Sequence, residues 1–573
     1  MKGFRIVTVI YLLLTISVTL QAQSRLKVSE NHGDVFKASG RFMDIHELPS
    51  GGYMSLSASA TGGGFSIGLL SFSKVKATYF AQVYDEDLNF LKEKQVNLKA
   101  LGKDLLLEKV VKFGRDFYVF ASFINEKTKK KYLFYSRFDH IDLTTDGEWM
   151  KVAEVKASPE KDYTRPTFSI DVSDNQKYIV VFGNGSERIR RKKSKGLFAR
   201  SRSSSNDIAS HNFKFTFWVM DEKMNIVNYE KKHQLRINES SDKFYIRDLT
   251  VDDQGAVYIL GKNAITDQLT RKEVKKDKRA TWVDIQKSAF ILEKIYPDGT
   301  SVQTVTPEGE LFVDMDILFD KDGVINLVGL NGEQVYSKLV ATGMSRLVLD
   351  PDNLDIILTA NADIDEDILQ KINDVQEREQ DMNKRQKKRA KKRDNRMSDE
   401  EKAYAEAAKH AALNVSSIAF SGLDENGDAV IVLEEQHLQI VTTTYTDANG
   451  NTRTTTTYYY HYDDLLLVKF IEDDVVQNYY KKSFVSVNVP LQKSMDVTLG
   501  DGEVKIMTQG HIVRADMDLG NVKDYELKAF DRKDKIPGMR RKYFTYRKAV
   551  DENTILAPAR FRSKAVWYKI EVD

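Results

Sequence analysis

The 573-residue chain contains no cysteine and only nine prolines. The missing thiol excludes disulfide frameworks, thiol nucleophiles and cysteine-based zinc sites, and it excludes the lipidated N-terminal cysteine of a bacterial lipoprotein. Histidine is also scarce, with nine residues (His32, His46, His140, His211, His233, His410, His437, His461, His511) scattered singly and none in a metal-binding spacing such as H-E-x-x-H. No P-loop and no G-x-G-x-x-G occur. Gly64-Phe-Ser-Ile-Gly68 has the form of a nucleophile elbow, but it sits in a Gly-rich connection with no helix after it, so Ser66 is not expected to be catalytic. The cofactor expectation is therefore none, and no catalytic residue is assigned. Among the 84 acidic residues a glycosidase carboxylate pair has no sequence mark that would locate it.

Long apolar runs are missing too, apart from the N-terminus. There Lys2 and Arg5 precede the apolar stretch 6–16, and Leu20-Gln21-Ala22 offers a cleavage site. The stretch is shorter than the roughly 20 residues a spanning helix needs, so residues 1–22 read as a secretory signal. The chain is expected to be exported and soluble, without a lipid anchor or membrane span. Beyond residue 22 basic and acidic residues balance at 84 each. Global charge therefore predicts neither a nucleic-acid nor a membrane partner.

What the sequence does contain is a repeated hairpin: an apolar strand, an Asp/Asn/Gly turn, and a second strongly apolar strand. Ile170–Phe182, Leu249–Leu260, Ile317–Val328 and Ile418–Leu433 are clear copies; Phe42–Leu56, Val110–Phe120 and Val497–Met507 are weaker ones. Turn residues supply the required backbone conformations, and β-branched and aromatic flanks suit pleated surfaces. A third strand recurs as well, at Tyr79–Tyr84, Phe213–Met220, Ala289–Tyr296 and Leu465–Ile471, each ending in an acidic turn. Four strands per module over 23–573 describe an all-β fold, a β-propeller of about seven four-stranded blades. Tandem β-sandwiches or barrels are the alternative. The strand Ala565–Val572 is expected to pair with an N-terminal strand near Val28–Phe36. In rhythm and signal, though in no specific motif, the chain resembles exported β-propellers of Gram-negative bacteria, which implies a place in the periplasm or at the cell surface.

Insertions fall mostly between second and third strands: 59–76, 125–131, 184–212, 262–287 and 437–464. A helical, basic insertion at 363–414 joins two blades. On a propeller all six would emerge on one face. Three carry basic runs, including Arg190, Arg191, Lys192 and Lys193, then Lys275 and Lys276, then Lys388 and Arg389. Clustered, they would create a local positive field for an acidic glycan or other polyanion; dispersed, each is a solvated loop. In the helical insertion Ile364, Ile368, Ile372 and Val375 form a narrow apolar stripe, and Ser398-Asp-Glu-Glu401 has the pattern of a capping box. The stripe is expected to pack on its own domain. Asn449-Gly450 predicts the turn of a long hairpin showing Thr on one face and Tyr458, Tyr460 and Tyr462 on the other. Exposed tyrosines suit protein contact or sugar stacking. His437 and His461 bracket that hairpin. The acidic loops 424–428 and 447–451 lack the sixth-position Gly and twelfth-position Glu of a calcium loop and read as plain turns.

These features point first to a non-enzymatic binding or scaffold protein of the cell envelope, whose partner is an envelope protein or acidic glycan. A glycan-active propeller enzyme with channel carboxylates is the second reading, and a polyanion-binding protein using the basic loops is the third.

Overall fold

The computed structural model describes residues 28–572, apart from 62–75, 157–167, 189–210, 228–231, 235–242, 269–282, 369–417, 447–451, 488–493, 528–542, 545–547 and a few isolated positions (38, 40, 126, 129, 336–337, 473, 483, 562–563). The chain divides into two compact units. The larger comprises Ser39–Glu86 and Phe90–Gln492, the smaller residues through 38, Asp87–Asn89 and Lys493–Asp573.

The described residues are all-β, arranged in many antiparallel sheets. Among the described residues of the larger unit, besides a two-stranded ladder of Lys99–Ala100 with Lys103–Asp104, six sheets of four or five strands follow one another along the chain. Their first two strands are Arg41–Glu47 and Tyr53–Thr61, Leu106–Phe113 and Asp116–Asn125, Phe168–Val172 and Ile179–Arg188, Lys243–Val251 and Val257–Gln268, Leu311–Phe319 and Ile325–Val335, and Ile418–Leu423 and Ala429–Thr446. Each sheet continues outward through a third and a fourth strand as an antiparallel meander. The fourth and fifth are joined into one eight-stranded sheet by a single parallel pairing, Ser288 with Leu311. The smaller unit holds a seventh sheet, Asp496–Gly500 through Lys523–Glu526. Its eighth combines Thr554–Phe561 and Lys564–Val572 with the N-terminal Val28–His32. Val28 pairs with Val572 and Phe36 with Ala565, so the expected joining of the two ends is present. Seven of the eight sheets open with the hairpins read from the sequence. The eighth opens on the hairpin of Thr554–Phe561 and Lys564–Val572, which the sequence reading did not mark as a repeat copy.

The turns explain why these hairpins are so regular. Asp252, Asp320 and Asp424 each accept side-chain hydrogen bonds from the backbone N–H groups two and four residues on, at 2.7–2.9 Å. The glycine three residues on adopts a positive φ in each, +84° at Gly255 and +80° at Gly323, which any side chain would strain.

Within the larger unit, neighbouring sheets share a core. Val181 and Trp218 face Val111 and Leu133 of the preceding sheet, while the adjacent Val180 and Val219 face Leu249 and Ile259 of the next. Tyr258 and Phe290 likewise meet Met315 and Leu347, and Leu330 and Met344 meet Ile431 and Phe470. Because successive side chains point to opposite faces, sheets covered on both sides need unbroken apolar runs such as Ile179-Val-Val-Phe182. Strand order and two-sided burial are those of propeller blades. In the smaller unit Met507 and Ile512 pack with Ala557, Val566 and Tyr568.

The signal segment 1–22 lies outside the described residues, as does 369–414 of the helical insertion. Residues 366–368 begin a helical turn. Ile364 and Ile368, the first two members of the predicted stripe, are buried in the core shared by the fifth and sixth sheets. Among the described residues no helix is long and apolar enough to cross a membrane.

Candidate functional site

Two features stand out, both in the larger unit. The first is a cavity of about 440 Å³ lined by first strands: Ser169, Ile170 and Asp171, then Asp248, Leu249 and Thr250, then Ile317 and Phe319. Several first strands carry a one-residue bulge opposite the second strand, between Phe42 and Asp44, Ile246 and Asp248, Phe312 and Asp314, and Ile418 and Phe420. A bulge re-aims the side chain it carries. At Arg247 it sends the guanidinium sideways to the next sheet. Its Nε and Nη2 donate to the two carboxylate oxygens of Asp314 at 2.6 and 3.1 Å, and Nη2 also meets Asp316 at 2.9 Å. Asp314 in turn accepts the N–H of Ile418 at 2.9 Å, and Ser421 donates to Asp316 at 3.0 Å. Three sheets are thereby tied through their first strands.

Burial sets the electrostatics here. It pushes the Asp316 carboxyl up to about 6, with Asp314 and Asp248 adding to the rise and Arg247 opposing it. Asp248 is also raised, chiefly by burial, although it accepts the N–H of Leu249 at 2.8 Å. Lys262, donating to the carbonyl of Val313 at 2.5 Å, is pushed down to about 8 by burial, which outweighs the attraction of Asp314. None of these residues was singled out from the sequence, yet a signal was there. Asp44, Asp248 and Asp316 each stand seven residues before the turn glycines Gly51, Gly255 and Gly323.

The second feature is the Thr/Tyr hairpin. Ala429–Thr446 and Thr452–Ile471 are the two longest strands among the described residues and run on as a two-stranded arm, from the pair Gln436–Tyr462 to the pair Thr446–Thr452. Phe484–Val487 joins the base of the arm along Tyr459–Tyr462. The register corrects the expected division of faces. Thr454, Thr456, Tyr458, Tyr460 and Tyr462 are two apart and share one face, together with Leu438, Ile440, Thr442 and Thr444 opposite them. Threonines therefore hold the outer part of the arm and tyrosines its base. Thr442 bonds Thr456 at 3.4 Å and Thr444 bonds Thr454 at 3.3 Å. A second correction concerns exposure. Tyr458 is exposed and Tyr460 half-buried, but Tyr462 is buried, with its ring 6.4 Å from Phe484, and offers no surface to a partner. The backbone register sets His437 opposite His461, as the bracketing had suggested. Among the described residues Leu438, Ile440 and Val441 of the arm are exposed beside Tyr458, as are Val485 and Val487 of the strand at its base, and of these six only Tyr458 was singled out from the sequence as a contact residue.

A polar collar separates the arm from the sheet. Lys482 pairs with the fully buried carboxylate of Glu434, and its backbone N–H donates to Asp464 at 2.9 Å; Tyr479 donates to the same Asp464.

Arg190, Arg191, Lys192, Lys193, Lys275, Lys276, Lys388 and Arg389 lie outside the described residues, as do Ser66 and the 447–451 loop. The other acidic loop is a turn, its Asp424 and Asp428 carboxylates both held by Lys469, at 2.8 and 3.1 Å. Among the described residues no group of three or more His, Asp or Glu is placed to hold a metal ion.

No family model matches the sequence, and no curated protein matches it. Solved structures resemble it loosely. A Dos1 propeller is 8% identical, with 94% of each chain covered and a TM-score of 0.38. The WD40 domain of SCAP from fission yeast is 7% identical, covering 95% of this chain and 94% of its own, at 0.36. The polysaccharide lyase Uly1 is 9% identical, covering 81% and 90%, also at 0.36. Superpositions this loose assign no activity to the chain.

Proposed function

We propose that the protein is a non-enzymatic binding or scaffold protein on a β-propeller framework, exported to the cell envelope, and that it holds a protein partner on the exposed faces of its Thr/Tyr arm. The observation that carries this reading is the arm itself. It extends the sixth sheet beyond the polar collar by eleven residue pairs, about 35 Å at the usual rise per residue. Along that length it keeps Leu438, Ile440, Val441 and Tyr458 exposed. Apolar side chains left exposed on an arm beyond its one buried base residue, Tyr462, are the mark of a contact surface. Tyrosine suits such surfaces, since it offers apolar area and a hydroxyl at small entropic cost. In this reading the inner carboxylates serve the framework: Asp314 and Asp316 are spanned by Arg247, and Asp44 and Asp248 accept the N–H of the residue that follows.

The test is capture of partners from envelope extract by the unaltered chain and by a variant carrying Leu438→Ser, Ile440→Ser and Tyr458→Ser. Loss of a captured protein, with an unchanged circular dichroism spectrum, is the expected result. Identical capture by both proteins would move the binding surface elsewhere.

A further inference from the structure

The arm has an edge as well as faces, and the edge points to a different interaction. Its first strand pairs with Thr452–Ile471 on one side only. The strand on its other side, Ile418–Leu423, stops at the pairing of Ile418 with Leu433. From Gln436 to Thr446, among the described residues, no strand covers that other side. Every second residue there presents backbone N–H and C=O groups to the open edge.

Proteins blunt such edges with short strands, charges, proline or bulges. Two other outer strands of this molecule are blunted so. The outer strand Phe90–Val96 is seven residues long and carries Lys92, Glu93 and Lys94, and Ser301–Val305 is five residues long. The open edge of the arm reads Gln-His-Leu-Gln-Ile-Val-Thr-Thr-Thr-Tyr-Thr, eleven residues without Lys, Arg, Asp, Glu, Pro or Gly. Its register is unbroken after the shift at Glu434/Gln436. In a chain that is 30% charged, such an uncharged stretch is suited to pairing, and among the described residues nothing pairs with it.

We propose that this edge pairs antiparallel with the same edge of a second copy of the chain, forming a twofold dimer in which the two arms make a four-stranded sheet. Charge selects the occupant. A strand with no charge can be set against itself without placing like charges opposite one another, whereas most other strands here cannot. A twofold axis requires antiparallel edges and self-complementary residues. Pairing centred on Val441 sets it against its own copy, Ile440 against Thr442 and Leu438 against Thr444, all combinations that favour strands. Residues opposite one another share a face, so Leu438, Ile440 and Tyr458 of the two copies would form one continuous strip. This goes beyond the reading above, which uses the side-chain faces of the arm and not its backbone edge.

The experiment is light scattering on size-exclusion fractions of the full chain, alongside Val441→Lys and Val441→Glu, with capture from envelope extract run on the same samples. The unaltered chain is expected as a dimer, each variant as a monomer of unchanged circular dichroism, and an equal mixture of the two variants as a dimer again. A monomeric unaltered chain would overturn the proposal, and so would dimers that persist in both variants. Capture of an envelope protein by a monomeric unaltered chain would overturn the dimer while leaving the binding reading intact. A captured protein lost from Val441→Lys without any change in mass would make the edge a site for that protein and not for a second copy.

Discussion

The two halves of the long hairpin share a backbone and differ in everything else. Below the collar, Ala429, Ile431 and Val432 stand opposite Phe470, Val468 and Leu467, all wholly buried. Above it, the same strand exposes Leu438 at 49% and Ile440 at 56%. The lower half is held by side chains locked between neighbouring sheets. The upper half is held by ladder hydrogen bonds, by threonine contacts and, at its base, by the strand Phe484–Val487. Pairing alone therefore does not make a strand part of the core. Coverage of its faces does, and the arm is the part of the sixth sheet that the framework leaves uncovered.

The sharpest way to probe this contrast is to damage both halves. Phe470→Ala below the collar should cost about 3–5 kcal/mol, read as a shift in the denaturant midpoint, because a fully buried ring leaves a cavity between two sheets. At the collar, Lys482→Met should cost about 3 kcal/mol by taking the lysine cation away from the buried Glu434 carboxylate, which still accepts the Gln436 amide at 2.8 Å. Adding Glu434→Leu should recover most of that loss.

At the first strands the comparison becomes one of pH. In the folded chain Asp316 titrates near 6, above its unfolded value. Between the two values the folded chain holds a proton that the unfolded chain has released, so this group's contribution to stability falls as pH rises through that window. Asp316→Asn should therefore gain stability relative to the unaltered chain from pH 4 to pH 7, by on the order of 1–2 kcal/mol. Above the collar, Ile440→Ser should move stability by no more than about 0.5 kcal/mol while weakening partner capture.

Much of the framework was legible because turn chemistry is local. Asp, Gly and Asn at fixed offsets marked the hairpins, and apolar runs marked strands covered on both faces. The pairing of Val28–His32 with Lys564–Val572 was readable from a spare strand at each end. The faces of the arm were misread although the sequence held the answer, since Thr456, Tyr458 and Tyr460 are two apart and must share a face. The inner acids at Asp44, Asp248 and Asp316 were equally legible once the turns served as a ruler. The collar was not, because Glu434 and Lys482 are 48 residues apart and only the folded sheet brings them together. The same holds for Arg247, whose reach to Asp314 depends on a bulge that no short-range pattern announces.

The most direct test of the central claim is the unfolding midpoint of a chain in which residues 440–458 are replaced by Asn-Gly, closing the hairpin at the pair Gln439–Tyr459. If the arm serves binding and not folding, the midpoint stays within about 0.5 kcal/mol of the unaltered chain. A loss as large as that of Phe470→Ala would contradict the account and make the arm part of the framework.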